Sequence, residues 1–169
     1  MFQGDNAVFH FELDDPSNTF AVVSNGRQGE IQLMNPVDRE VKEIYVFQVS
    51  AVESRTSQQF RSQPSQVLVR VLDKNDNSPV FQKDSYEFDV PRTALRGFQI
   101  GQVIATDQDI GLNGLVSYFL QPVPAWDAFT VDKDSGVLSL DRDLALADVG
   151  THVTTVVASD RTALASEIR

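Results

Sequence analysis

Four side chains carrying hydrogen-bonding or anionic oxygens fall within five residues of the segment DKNDNSPVF, which runs from Asp73 to Phe81. They are Asp73, Asn75, Asp76 and Asn77, and Pro79 stiffens the exit. Carboxylate and amide oxygens at this density suit a hard cation, because calcium takes roughly six to eight oxygens at ~2.3 to 2.6 Å. Metals that prefer nitrogen or sulfur would find few ligands in a chain with two histidines and no cysteine. An EF-hand loop is excluded: the sixth position from Asp73 is Ser78 instead of glycine, Pro79 follows, and the flanks read as strands. Taken alone, the segment reads equally as a solvated turn, since Asp, Asn, Ser and Pro are ordinary turn residues. Its neighbours decide between the two.

The chain has 169 residues, 41% hydrophobic and 22% charged, which places it among globular proteins. A net charge of −10 argues against nucleic acid, whose phosphates such a surface repels, and makes multivalent cations the natural counterions. No small-molecule substrate is indicated. No apolar run approaches the ~20 residues that span a bilayer, and the N-terminus lacks the basic and apolar regions of a signal peptide. A secreted or membrane protein with these features would be represented here by a fragment. The absence of cysteine leaves the redox compartment open.

The elements that position the acidic segment are repeated. GDNAVFHFEL from Gly4 resembles GLNGLVSYFL from Gly111, which sets Asn6 and Asn113 107 residues apart. FAVVSNGRQGEIQL from Phe20 answers FTVDKDSGVLSL from Phe129, and YVFQVSAVE (Tyr45 to Glu53) answers HVTTVVASD (His152 to Asp160), the last pair again offset by 107. A period this long exceeds the ~20 to 50 residues of solenoid repeats, so each copy is expected to be a domain with its own core. Alternating runs (Phe9, Phe11, Leu13; Tyr45, Phe47, Val49, Ala51; Val67, Val69, Val71; Tyr86, Phe88, Val90) predict β-strands. Turn formers such as Asn25-Gly26 and Asp134-Ser135-Gly136 separate the runs, and no segment carries a capped 3.6-residue apolar stripe. The expected class is all-β, a sandwich of short strands.

These residues resemble the extracellular cadherin repeat over nearly the whole chain. Five signatures carry the resemblance: DKNDNSPVF at 73 to 81, ATDQDIGLNGLVSY at 105 to 118, Asp38-Arg39-Glu40, Ala158-Ser159-Asp160, and FTVDKDSG at 129 to 136. The resemblance implies tandem Greek-key β-sandwiches with both repeats truncated. Residues 1–79 would be a first repeat without its initial strands, with the calcium linker at 73–79, and residues 80–169 a second without its last strand. It further implies calcium bound between successive repeats. Asp38 and Glu40 would come from the first repeat, Asp73, Asn75, Asp76 and Asn77 from the linker, and Asp107, Asp109 and Asp160 from the second repeat, with Asn113 offering its backbone carbonyl. Carboxylates gathered so closely need compensation, because like charges ~4 Å apart repel by ~4 kcal/mol at an effective dielectric of about 20. Calcium would supply it and stiffen the joint. The implied function is calcium-dependent cell–cell adhesion, with other cadherin ectodomains, self or related, as partners. The implied location is the extracellular face of the plasma membrane, reached through segments of a longer parent chain, nearest the protocadherin, Fat and Dachsous types.

The second copy departs from the pattern at its far end. Gly29 to Asp38 and Gly136 to Ala145 are each nine apart, so Ala145-Leu146-Ala147 stands where the first copy has Asp38-Arg39-Glu40, and Arg92 stands where the family usually has glutamate. A joint formed there is expected to bind fewer calcium ions or none. Arg39 reads as a structural partner or an outward charge, and Glu53, which aligns with Asp160, as a ligand only for an upstream joint. His10 is expected on a polar face and His152 in the inward position that Tyr45 holds in the first copy. Neither has the nucleophile turn that a serine triad needs. Trp126 reads as a loop anchor. The rival reading is a secreted β-sandwich enzyme or accessory domain with Asp107 and Asp109 as acid and base. Glycosidase carboxyls, however, must oppose each other across ~5 to 9.5 Å of substrate, and no second acidic landmark fills that role. The chain is therefore expected not to be an enzyme.

Overall fold

The computed structural model describes residues 8–54, 60–122, 128–160, 162 and 164–168; Trp126 and the first landmark, Gly4 to Asn6, lie outside the described residues. The chain divides into two compact units, Met1–Leu72 and Asp73–Arg169. Both are built from strands, and helical structure among the described residues is limited to one 3-10 turn, Leu146–Asp148.

The first unit contains β1 (Phe9–Asp14), β2 (Phe20–Asn25), β3 (Gln28–Leu33), β4 (Ile44–Glu53) and β5 (Ser65–Arg70). Antiparallel β1, β4 and β5 form one sheet with β4 central, and β2 and β3 form a hairpin. The hairpin loop is Gly26-Arg27, with Gly26 at φ +61°, the left-handed position that the first residue of a two-residue turn demands. Asp15 sets the entry to β2: its carboxylate accepts from the backbone N–H of Ser17 (2.9 Å), Thr19 (2.7 Å) and Phe20 (2.9 Å). Tyr45 and Phe47 point inward as their alternation predicts, and the Phe20 ring meets them at 5.3 and 5.0 Å. Beyond Val49 both faces of β4 are covered, so Ser50, Val52 and Glu53 are buried and the period-two reading ends there.

The second unit contains β6 (Val80–Phe81), β7 (Gln99–Gln102), β8 (Ala105–Thr106), β9 (Ser117–Leu120), β10 (Phe129–Val131), β11 (Val137–Leu140), β12 (Val156–Ser159) and β13 (Ala165–Ile168). Two antiparallel three-stranded sheets, ordered β10-β11-β7 and β13-β12-β9, are accompanied by a separate antiparallel β6-β8 pair. Val103, Ala105, Tyr118, Leu138, Val156, Ala158 and Ile168 form the core. Burying each of the larger of these side chains contributes roughly 1.5 to 3 kcal/mol. The one polar side chain in that cluster is satisfied: the Ala105 N–H donates to Tyr118 Oη at 2.8 Å, and the hydroxyl donates to the Ala105 carbonyl at 3.3 Å.

Two expectations for this unit are corrected. Tyr86, Phe88 and Val90 form no strand ladder. Their alternation reflects an extended segment whose rings pack instead: Tyr86 and Phe88 stack at 6.2 Å, the Tyr86 hydroxyl contacts the backbone of Ile104, and Phe88 lies where a side chain on Gly101 would have to go. His152 is exposed, not inward, because β12 begins only at Val156; its Nε2 lies 2.9 Å from the Asp148 carbonyl.

Candidate metal centre

Seven of the predicted ligands converge within the second unit. The linker residues Asp73, Asn75 and Asn77 lie beside the loop that follows β8, residues 107–113, and beside Asp160 at the end of β12. Asp73 Oδ1 accepts from the Ile110 N–H at 3.3 Å and Oδ2 from the Asn113 amide at 2.9 Å. Asp109 accepts from the Asn77 backbone N–H at 3.2 Å and from the Asn77 amide at 2.7 Å. The Asn75 amide contacts the Thr162 hydroxyl, and Asp160 Oδ1 accepts from the Thr162 N–H at 2.6 Å and the Leu164 N–H at 3.2 Å. Asp107 Oδ1 accepts from the Asp109 N–H at 2.9 Å.

Backbone and amide donors thus hold one side of Asp107 and Asp109 and fix their direction while carrying no charge of their own. Two oxygens in the cluster, Asp107 Oδ2 and Asn75 Oδ1, are buried with no hydrogen-bond partner among the described residues. A buried, unsatisfied oxygen is costly. Asp109 is 5% exposed and Asp160 4% exposed, so these charges are also poorly hydrated. Burial pushes the Asp107 carboxyl above the ordinary aspartate range, and the neighbouring Asp109 and Asp160 charges push it the same way. The donor set is therefore all oxygen, excess negative charge and unsatisfied lone pairs, which fits a divalent hard cation.

The loop's shape depends on glycine at one point. A Cβ on Gly114 would stand 2.0 Å from the Asp109 carbonyl oxygen, so the GLNG turn can fold back on Asp109 only without a side chain there.

Asp76 sits at the margin: half-exposed, it faces Lys74 at 3.9 Å and the Asn77 amide at 3.3 Å. Asp38 and Glu40 lie in the first unit, in the turn after β3, where the Glu40 N–H donates to Asp38 Oδ1 at 2.9 Å. Hydrogen bonding with the Glu40 carboxyl, then with the Glu40 and Val41 N–H groups, holds the Asp38 carboxyl below its ordinary value. Arg39 pairs with Glu40, which gives it the partner expected of it. Thr162 was missed in the sequence. Its signal is a hydroxyl residue two positions after an aspartate, the spacing at which a carboxylate accepts from the backbone to close a turn.

Residues 86–168 match the profile of the cadherin domain. The chain is 37% identical over 144 residues to protein dachsous of Drosophila melanogaster, covering 83% of this chain and 4% of that one. To cadherin-23 of Rattus norvegicus it is 34% identical over 159 residues, 93% of this chain and 5% of that one. Among solved structures, the protocadherin gammaB7 EC3-6 cis-dimer superposes with a TM-score of 0.86 at 29% identity, over 98% of this chain and 40% of that one.

The chain belongs to the cadherin family. It is all-β, its structural neighbours are cadherin ectodomain repeats, and its relatives are adhesion proteins. It spans 4% to 5% of the length of the two curated cadherins compared above. No helix among the described residues is long and apolar enough to cross a membrane.

Proposed function

We propose that this cadherin segment, organised as repeats 1–79 and 80–169 with the linker at 73–79, binds calcium and uses it to stiffen an adhesive ectodomain. The observation that carries the reading is the pair of buried oxygens, Asp107 Oδ2 and Asn75 Oδ1, left without a hydrogen-bond partner among the described residues inside a cluster of carboxylates. The ligands are Asp73, Asn75, Asp76, Asn77, Asp107, Asp109 and Asp160, with the Asn113 carbonyl. Asp38 and Glu40 of the first repeat complete the set, as the family resemblance implies. Calcium neutralises the mutual repulsion of these carboxylates and ties the linker to the 107–113 loop, so the product is rigidity and not turnover. The partners are other cadherin ectodomains, self or related, met at the extracellular face of a plasma membrane to which the parent chain is anchored.

Calorimetric titration with calcium, paired with small-angle scattering, tests this. Saturable binding, at the ~10⁻⁴ to 10⁻³ M affinity of extracellular modules, should restrict the range of interdomain shapes and vanish in an Asp73→Ala, Asp76→Ala variant. A folded wild-type chain that takes up no calcium would overturn the reading.

A further inference from the structure

The second repeat holds another acidic region whose carboxylates are treated differently. Around the 3-10 turn, Asp148 receives a two-pronged contact from Arg142: Nη1 to Oδ2 at 2.7 Å and Nη2 to Oδ1 at 3.1 Å. The Ala145 N–H donates to the same Oδ2 at 2.6 Å, so both oxygens are engaged and the carboxylate is folded back over the start of its own turn. Arg142 also donates to the Asp143 carbonyl at 3.1 Å. The remaining acids nearby are occupied as well: Asp143 Oδ1 accepts from the Arg96 N–H at 2.8 Å, and Asp141 Oδ1 lies 3.2 Å from the Arg96 guanidinium.

The 107-residue offset sets 35–41 against 142–148, and all seven residues differ. Ala145, Leu146 and Ala147 replace Asp38, Arg39 and Glu40, removing two carboxylates and the Arg39–Glu40 ion pair, while Arg142 and Asp148 replace Asn35 and Val41 and supply a different ion pair. Val41 is 82% exposed in the first repeat, whereas the Asp148 side chain is only 9% exposed. The same place in the fold thus goes from two carboxylates side by side, with Arg39 paired to Glu40, to a single carboxylate closed on both oxygens by a guanidinium.

We infer that the Arg142–Asp148 pair is a built-in lock that closes this turn without a metal, and that the turn takes no divalent cation where the first repeat carries Asp38 and Glu40. A bidentate guanidinium satisfies both oxygens directionally and cancels the charge that would draw calcium. A divalent ion would have to displace it. The contrast with the first repeat rests on the calcium reading above; the lock itself does not.

Hydrogen–deuterium exchange on the whole chain, read by mass spectrometry in calcium and in EDTA, tests the lock. Protection across residues 145–149 should be the same in both conditions and fall roughly tenfold in Asp148→Asn, again in both. Arg142→Lys, which keeps the charge but loses the fork, should show the same loss in smaller measure and serves if Asp148→Asn does not fold. Protection at 145–149 that is gained with calcium and lost in EDTA, or left intact by both variants, would overturn the lock. Residues 107–113 report separately in the same experiment. If they fail to respond to calcium, the calcium reading falls while the lock is still judged on 145–149.

Discussion

Two acidic regions of the second repeat face the same electrostatic problem and solve it in opposite ways. Around Asp107 and Asp109, the hydrogen bonds to the carboxylates among the described residues come from backbone N–H groups and an amide, which orient the oxygens and carry no charge of their own. Around Asp148 a guanidinium supplies the charge as well as the donors. The first arrangement stays open to a cation from solution, and the second already contains one. A count of acidic residues therefore says little about metal binding; what matters is which groups answer them.

The sharpest way to break the comparison is to remove charge from the open region. Replacing Asp107 and Asp109 together with Asn should abolish the calcium-dependent rise in melting temperature. For the wild type that rise corresponds to ~2.7 kcal/mol per site when calcium stands at about 100 times its dissociation constant. Without calcium the variant should melt no lower than the wild type, because the uncompensated charge has gone. Scanning calorimetry with calcium and with EDTA checks both halves; a variant that keeps the calcium-dependent rise would show that these carboxylates are not the ligands.

A smaller effect should follow from changing the loop while keeping every carboxylate. Gly114→Ala sets a methyl against the Asp109 carbonyl, and relieving that contact must move the loop, at a cost of about 1 to 3 kcal/mol. Calcium affinity should fall as well, although no ligand side chain is lost. Unchanged affinity in the titration would mean that the 107–113 loop does not position the site.

Much of this was legible in the sequence because the two governing patterns are local. The alternation of Tyr45 and Phe47 and the Gly26 turn follow from residue types alone, whereas the meeting of Asn77 with Asp109 is implied only by the resemblance to the cadherin repeat. What failed depended on partners distant in sequence. Tyr86, Phe88 and Val90 alternate like a strand, yet a strand needs a neighbouring backbone in register, and their side-chain period cannot specify one. His152 aligns with an inward tyrosine but lies before β12 begins, where the repeat's periodicity no longer governs. Arg142 and Asp148 escaped notice because they stand six residues apart across a turn, a spacing that neither the strand period nor the repeat marks.

Breaking the closed region should cost less and should be indifferent to calcium. Arg142→Gln removes the fork from Asp148 and should lower the melting temperature by the same small amount in calcium and in EDTA. If the loss were seen only in EDTA, calcium would be replacing the guanidinium and the distinction between the two regions would collapse.

The subtlest expectation concerns acid. Hydrogen bonding from Arg142, then from the Ala145 N–H, holds Asp148 down at about 2 from an ordinary 3.8. Burial pushes Asp15 upward, but its bonds from the Ser17 hydroxyl and the Phe20, Ser17 and Thr19 N–H groups outweigh this and bring it to about 2 as well. Each carboxyl takes up its proton at higher pH in the unfolded chain than in the folded one. Its contribution to stability is therefore complete above about pH 3.8 and is lost as the pH falls towards about 2. Other groups share this direction, with Arg61 lowering Glu12, Glu40 lowering Asp38 and Ser135 lowering Asp132, so the wild-type acid profile is a composite. The difference between wild type and Arg142→Gln isolates Asp148. Melting temperatures of the two should converge as the pH drops from 4 to 2, because protonated Asp148 no longer needs its partner. A gap that stays constant through that window would mean Arg142 acts through packing of its stem, leaving the closed region held by shape and not by charge.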